Sequence, residues 1–590
     1  QASYLVRLHR CSLSVSILKS DMAKEGHKYI FVLGGVMSGV GKGVVTSSIG
    51  LLLQQKGYPV NLVKVDPYLN VDAGTMNPTE HGETFVLRSG LETDQDMGNY
   101  ERFLGRDLTN EDYMTSGMVY QSVIARERAL GYGGKCVEAI PHVRDEILSR
   151  IEAAADHNGG RISVIEIGGT IGDFQNALFI EAARVLKMNH PEDVLFVIVS
   201  YLPTPGTLGE MKTKPTQSAV RDLNSYGVQP DFIVARSKEP IDAKRKEKLA
   251  IWCNVRKDRI IAAPDISSIY EAPLNFEKDK LGDAVLAALK LPEKQKASLT
   301  AWKKFAAAMA NTKSPEVKIA IVGKYFDTGD FVLSDAYLSV IEAIKFSSAK
   351  LGRRSIISWV NSKDLEKAKA SQSDVRPTGR SGRSRGASAA KILAGYDGII
   401  VPGGFGESGI EGKIKAIQFA REKKIPYFGL CYGMQLMVIE YARNVLKLKN
   451  AHTTEIQKNS QDPVVDVMLE QKKHLANNKY GGTMRLGSYP CYLKKGTLAR
   501  AAYKKELVEE RHRHRYEINS AYVKPLEDAG LVFSGTSPDQ VLMEIAELPR
   551  TVHPFMLGTQ FHPELQARPL DPHPLFTEFI RAAIARKKKR

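Results

Sequence analysis

"YIFVLGGVMSGVGKGVV", Tyr29 to Val45, decides the fold. Its first half is a continuous apolar run that ends in Gly34-Gly35, as a strand buried on both faces of a parallel sheet does. A glycine-rich turn follows. "VVTSSIGLLLQQKG" then reads as a helix closed by Gly57. A strand, a glycine loop and a helix in that order can hold phosphate on backbone N–H groups and the helix dipole. Yet the loop breaks the usual pattern G-x-x-x-x-G-K-[ST]. Counting back from Gly41-Lys42, Val36 stands where the first glycine belongs, and Gly43 where a hydroxyl belongs. Lys42 would reach terminal phosphates, while Gly39, Gly41 and Gly43 let the backbone come close. Glycine loops also serve as plain tight turns, so the neighbouring motifs must decide.

Outward from this stretch, "VNLVKVD", "ISVIEIGG", "DVLFVIVSY" and "DFIVARS" read as further strands between helix-length segments. The alternation predicts a doubly wound α/β sheet. It stops near Leu291. "LPEKQKASLTAWKKFAAAMANTKSPE" reads as a helical, lysine-rich linker, and a second α/β series starts at "VKIAIVGKYF" and runs through "YDGIIVPGG" and "IPYFGLCYG". The predicted organisation is an N-terminal extension over 1–21, a first domain over 22–291, a linker over 292–315 and a second domain over 316–590. Within the second, "SQSDVRPTGRSGRSRGASAA" carries Arg376, Arg380, Arg383 and Arg385 among Ser and Gly, a composition that predicts a mobile surface loop inside 363–391. Met22 is read as the natural start, with a transit peptide as the other reading of what precedes it.

The bulk properties exclude several classes. A chain of 590 residues exceeds what one core usually supports. No stretch reaches the roughly 18 consecutive apolar residues of a membrane span. Five scattered cysteines, none in a CxxC pair, suggest neither a disulfide framework nor a zinc site and fit a reducing, cytoplasmic setting. The net charge of +17 suits either nucleic acid or a protein that handles polyanionic nucleotides. No aromatic-interleaved basic platform or helix-turn-helix signature supports the first reading, so neither nucleic acid nor membrane is expected as a partner.

Other motifs sharpen the loop. "KVDPYLNVDAGTMNPTEHGETFV" puts Lys64 and Asp66 at a strand's end, and "LETDQDMGNYERF" supplies Asp94 and Asp96. "VIEIGGTIGDF" buries Glu166 in an apolar strand, where a lone carboxylate is costly. Mg²⁺ held by carboxylates and nucleotide phosphates would account for it; a helix cap or an ion pair is the alternative. "GEMKTKPTQSAVRDL" sets Lys212, Thr213, Lys214, Pro215, Thr216 and Gln217 just before a helix. Two cations and three hydrogen-bonding side chains suit a second phosphate with a base or sugar, or else form a solvated charged face.

A second chemistry sits in "PYFGLCYGMQLMVIEYA", where Cys431 lies between a strand and a helix, flanked by Gly429 and Gly433. The arrangement parallels a nucleophile elbow and exposes a thiol at a helix N-terminus, which favours the thiolate. A buried structural cysteine is the other reading. "QFHPEL" offers His562 and Glu564 as base and orienting carboxylate, and "PGGFGESG" offers the Gly403 and Gly404 amides as an oxyanion hole.

"KVDPYLNVDAGTMNPTEHGE", "VIEIGGTIGDF" and "GEMKTKPTQ" closely resemble the CTP synthases, and the resemblance runs from Tyr29 to about Phe579. It implies two α/β domains, a P-loop amidoligase and a class I glutamine amidotransferase. It also implies amination of UTP to CTP with ATP, Mg²⁺ and ammonia from glutamine. Matched motif by motif, Gly39, Val40, Gly41, Lys42, Gly43, Val44 and Arg236 would contact ATP. Ser38, Asp173, Phe174, Gln175, Lys248 and the segment Lys212 to Gln217 would contact UTP or the inhibitor CTP. Asp96 and Glu166 would hold Mg²⁺, and Lys64 would lie at the reacting centre. Cys431, His562 and Glu564 resemble the amidotransferase triad, with Gly404, Tyr432, Gly433, Met434, Gln435, Glu455 and Arg515 for glutamine. The resemblance further implies an ammonia tunnel, CTP feedback, GTP as an allosteric activator and a homotetramer that can stack into filaments.

Three departures stand out. Tyr432 replaces the usual leucine after the nucleophile. Glu407-Ser408 stands where many members have an arginine linked with GTP activation. Gln175 replaces a glutamate that contacts the cytosine of CTP. Another amidoligase fused to a glutaminase, such as a cobyrinate amidase, would share both chemistries without needing "KTKPTQ" beside "DPYLNVDAGTM". A non-catalytic assembly protein would not need Lys42, Asp96, Glu166, Cys431, His562 and Glu564 intact.

Overall fold

The structure is a computed structural model that describes residues 26–589, apart from 158, 207–208, 325–326, 329–330, 333, 368–388, 469–470 and 472–480. The extension read over 1–21, and most of the loop read over 363–391, lie outside the described residues.

Seven strands form the first sheet: β1 (Lys28–Gly35), β2 (Val60–Asp66), β3 (Tyr113–Thr115), β4 (Ile162–Ile167), β5 (Val194–Tyr201), β6 (Phe232–Ser237) and β7 (Ile260–Pro264). Their order is β3-β2-β4-β1-β5-β6-β7, with every neighbouring pair parallel. β1 is central and nearly free of solvent on both faces, as its apolar run requires. The chain leaves its carboxyl end for strands on either side, the place where open α/β sheets bind ligands. The helices that bear on the sites are α1 (Lys42–Gln55), α2 (Gln95–Leu104), α3 (Lys214–Ser225), α4 (Ala243–Cys253), α5 (Thr300–Ala310), α6 (Ile410–Glu422) and α7 (Tyr432–Asn444).

The second sheet comprises β8 (Glu316–Gly323), β9 (Arg354–Asn361), β10 (Gly398–Val401), β11 (Tyr427–Leu430), β12 (Arg485–Leu493), β13 (Leu507–His514), β14 (Val532–Thr536), β15 (Met543–Glu547) and β16 (Met556–Thr559). Its order is β9-β8-β10-β11-β16-β15-β14-β12-β13. The first five strands are parallel. The remaining pairs are antiparallel, an extension that the α/β pattern does not predict.

The segment read as a linker is helical only over α5, and that helix is packed rather than solvated. Trp302 and Phe305 are buried, and the indole N–H donates to the Tyr270 carbonyl at 2.8 Å. Phe103 from the first half lies 5.1 Å from Trp302, and Phe346 from the second lies 5.6 Å from Phe305, ring centre to ring centre. Buried aromatic area on this scale joins the halves into one core. A polar seam adds to it. Arg511, 1% exposed, lies 3.0 Å from Glu101 and 2.8 Å from Asp107, and donates to the Val86 carbonyl at 3.1 Å. Arg568 pairs with the same two carboxylates.

Candidate functional site

Both departures in the opening loop have structural counterparts. Val36 has φ +78°, the left-handed region that a β-branched residue rarely enters, so the chain makes the glycine's turn without the glycine. At Gly43 a Cβ would stand 2.4 Å from Asp96 Oδ1. The missing hydroxyl thus leaves room for a carboxylate from α2. Lys42 opens α1 and donates from Nζ to the Gly169 carbonyl at 2.6 Å.

The register of β2 with β4 sets Lys64 beside Glu166. Lys64 Nζ donates to Asp96 Oδ2 at 2.5 Å and to Glu166 Oε1 at 3.0 Å, and lies 3.6 Å from Asp66. The Tyr100 hydroxyl donates to the other Glu166 oxygen at 2.5 Å. Burial alone would lower the Lys64 pKa, but Asp96, Glu166, Asp66 and Asp94 outweigh it and hold the amine charged. Burial raises Glu166, with Lys64 opposing. Asp96 ends below its ordinary value because Lys64 overcomes its burial. Asp94 takes the capping role instead, accepting from the Asp96 N–H at 2.8 Å at the start of α2.

Among the described residues no three His, Cys, Asp or Glu side chains converge into a ready metal cage. The donor set fits Mg²⁺ in another way. Asp96 and Glu166, both held by Lys64, offer hard oxygens of the kind Mg²⁺ takes, and phosphate and water oxygens would supply the rest of its ligands. Beside them, Gly39, Gly41, Val44 and Arg236 line a cavity of about 490 Å³ together with Asp265, Ile266, Ile269, Asn275 and Phe276. Its apolar wall suits a nucleobase.

The lysine-threonine strip divides. Thr216 is fully buried, and its hydroxyl accepts from Ser200 at 2.8 Å. Thr213 accepts from Gln217 at 3.1 Å. The first bond fastens α3 to β5, and the second stays within the helix's first turn. Lys212 pairs with Glu210 at 2.5 Å. Ser38, Phe174, Gln175, Lys214 and Lys248 are exposed, Phe174 to 94%. Asp173 accepts from the Thr170 N–H at 2.6 Å. None of the exposed residues lines the cavity beside the loop.

The elbow forms as the sequence predicts. Cys431 has φ +50°, and Gly433 is required because a Cβ there would stand 2.1 Å from the Val401 carbonyl. The exposed thiol that the elbow pattern suggests is not found; Cys431 is 4% exposed and opens onto a cavity of about 80 Å³, enclosed by the other half of the chain. That cavity is lined by Gly403, Gly404, Phe405, His562 and Glu564, and also by Pro78, Glu83 and Thr84 from the first half. His562 Nδ1 lies 2.7 Å from Glu564 Oε1. Burial would lower the His562 pKa, but the Glu564 carboxylate and the neighbouring Cys431 lift it to about 10. Gln435 donates to the Tyr516 carbonyl at 2.8 Å, Glu455 accepts from the Gly406 N–H at 2.8 Å, and Arg515 donates to Gln471 at 2.8 Å. Met434 is buried in α7.

Residues 28–291 match the family described as CTP synthase N-terminus, and residues 332–582 match glutamine amidotransferase class-I. The CTP synthase of Caldanaerobacter subterraneus subsp. tengcongensis is 46% identical over 94% of this chain and 98% of its own length. The chain belongs to the CTP synthase family. The CTP synthase of Pyrococcus furiosus is 47% identical over 95% of this chain and 99% of that protein. Among solved structures, the glutaminase domain of Trypanosoma brucei CTPS with bound acivicin is 37% identical, with a TM-score of 0.39, over 46% of this chain and 94% of that chain. Among the described residues no helix is long and apolar enough to cross a membrane.

In this member of the CTP synthase family the sequence reading misses Lys413. The residue lies on α6, fully buried. Among the described residues no hydrogen bond reaches its Nζ, which stands 5.3 Å from the Tyr432 ring centre. Burial and the Lys324 charge push its pKa down from 10.5 to about 7, with Glu455 opposing. Below that value the folded protein holds a proton it disfavours; between 7 and 10.5 the unfolded chain binds more protons, so stability rises with pH. Lys413→Met is therefore expected to raise the melting temperature most at or below neutral pH, with the gain fading toward pH 10.5. Every tenfold weakening of proton binding corresponds to about 1.4 kcal/mol. Calorimetry across that range checks it, and an equal effect at every pH would contradict it.

Proposed function

We propose that the protein converts UTP to CTP, using ATP, Mg²⁺ and ammonia cut from glutamine at Cys431. The observation that carries this reading is the cavity at Cys431, whose walls come from both halves. A glutaminase alone has no need of Pro78, Glu83 and Thr84 in its chamber, whereas ammonia made at Cys431 must pass that way to reach the first site.

Arg236 and the apolar wall of the 490 Å³ cavity would hold the adenosine of ATP, and the loop from Gly39 to Val44 its phosphates. Asp96 and Glu166 would hold Mg²⁺, which would supply positive charge to offset that of the phosphates. Lys42 and Lys64 bring fixed positive charge to the phosphate as it moves to O4 of UTP. At the second site the Cys431 thiol gives its proton to His562 and the sulfur attacks the glutamine amide carbon, while the amides of Gly403 and Gly404 receive the oxyanion. His562, held charged, hands its proton to the departing nitrogen, which leaves as ammonia. Neutral His562 then takes a proton from water as water cleaves the thioester to glutamate.

Ser38, Asp173, Phe174, Gln175, Lys212, Lys214, Gln217 and Lys248, exposed or half-buried, would contact UTP and inhibitory CTP, and neighbouring copies in a homotetramer would cover them. The almost bare Phe174 ring supports such cover. GTP would act as an activator. Gln175→Glu is expected to tighten CTP inhibition roughly fivefold, about 1 kcal/mol, by restoring a charge-assisted bond to the exocyclic amine. An unchanged inhibition curve would contradict that contact. The deciding assay supplies UTP, ATP and Mg²⁺ with either glutamine or ammonium chloride and follows CTP by chromatography. Absence of CTP with both nitrogen sources would end the reading.

A further inference from the structure

Arg513 lines the chamber at Cys431 and has partners in both halves of the chain. It lies on β13, and its backbone carbonyl accepts from Cys431 Sγ at 3.8 Å. Its guanidinium stands 5.3 Å from the centre of the Phe405 ring, next to Gly404 of the oxyanion loop. On the opposite side, Nε donates to Glu92 Oε1 at 2.7 Å and Nη2 to the Gly74 carbonyl at 3.3 Å. Glu92 is 1% exposed, so removing this partner would leave its buried carboxylate unpaired. The backbone of Glu92 accepts from the Ala73 N–H at 3.1 Å, which ties the same segment together. Residues 72–76 lie one short loop, 67–71, beyond β2, whose end carries Lys64 and Asp66. One side chain thus links the strand that ends in the first site to the loop and sulfur of the second.

We propose that Arg513 is a positioning residue that couples the two sites, so that nucleotide bound at the first fixes residues 72–76 and, through Arg513, sets the Phe405 loop and the Cys431 sulfur for attack on glutamine. The inference rests on the functional reading above. A ligand shifts such an equilibrium only by contacts that differ between its states. The Gly74 carbonyl and the Glu92 carboxylate are those contacts, because they belong to the nucleotide half while the cation belongs to the other. A rigid planar fork suits this task better than a lysine, which offers a single charge point.

The test measures glutamate release from glutamine with and without UTP, Mg²⁺ and a non-hydrolysable ATP analogue. The parent enzyme is expected to show stimulation of about tenfold. Arg513→Met should reduce this below about twofold, Arg513→Lys should restore part of it, and CTP synthesis from ammonia should persist in both. Glu92→Gln, which keeps the shape and removes the charge, should weaken the stimulation from the other side and serves if Arg513→Met does not fold. Full stimulation in folded Arg513→Met would overturn the coupling. So would parallel loss of ammonia-dependent synthesis, which marks a merely structural role. A parent enzyme that hydrolyses glutamine and makes CTP without any nucleotide stimulation would overturn it too. A parent that does neither would instead overturn the functional reading.

Discussion

Cys431→Ala is expected to lower CTP synthesis from glutamine on the order of 10³-fold or more, while synthesis from ammonia stays within about twofold. Alanine cannot form the thioester, and among the described residues no second thiol lines the 80 Å³ cavity. Gln560 lies 3.6 Å from the sulfur as a hydrogen-bond donor and cannot replace it. The first site does not depend on the thiol: Lys64 donates to Asp96 and to Glu166, and Tyr100 donates to Glu166. The two halves are held by the α5 aromatic cluster and by the Arg511 pairs, which the substitution leaves untouched. His562→Ala should give the same split, because Glu564 then has no imidazolium to hold and the leaving nitrogen no proton donor. Both nitrogen sources are measured in one preparation of each variant. Glutamine-dependent synthesis that survives in Cys431→Ala would remove the nucleophile assignment. Loss of both activities in a folded variant would remove the division into two sites.

The parts of this arrangement that could be read from the sequence are those whose cause is local. The five strands predicted for the first sheet are apolar runs bounded by turn residues, and all five form. β3 and β7 escape because three residues, and "IIAAP", carry too little pattern to stand out. The antiparallel extension escapes because strand direction is set by distant pairing, not by composition. Cys431 was legible from its flanking glycines, since the tight turn needs them. Asp94 and Asp96 are the same residue two positions apart; only the start of α2 between them decides which one caps and which one turns to Lys64. Trp302 reads as part of a lysine-rich linker until its partners are seen to come from both halves. Arg513 had no local signal beyond its place in "RHRHRYE", because its partners on the other half lie more than four hundred residues away in the chain.

Lys42→Ala is expected to cost on the order of 10²–10³-fold in CTP synthesis, with glutamine and with ammonia alike. Lys42 is 8% exposed and extends from the first residue of α1 to the Gly169 carbonyl, so its charge is delivered from a buried position. Charge placed there is worth more than charge in water and needs no reorganisation as the phosphate moves. Burial lowers the Lys42 pKa, with the Glu166 carboxylate acting against it; without the lysine, Glu166 loses one of the two cations that offset its own burial. Phosphate would then meet Asp96 and Glu166 with only Lys64 between them, and ATP binding should weaken along with turnover. Glutamine hydrolysis measured without nucleotides should be unaffected, because none of the groups around Cys431 comes from the opening loop. A variant that loses ammonia-dependent synthesis and keeps its basal glutaminase has lost phosphoryl transfer alone. A folded variant that still makes CTP from ammonia at the parent rate would show that Lys42 does not meet the phosphate, and the loop with its two departures would revert to a tight turn.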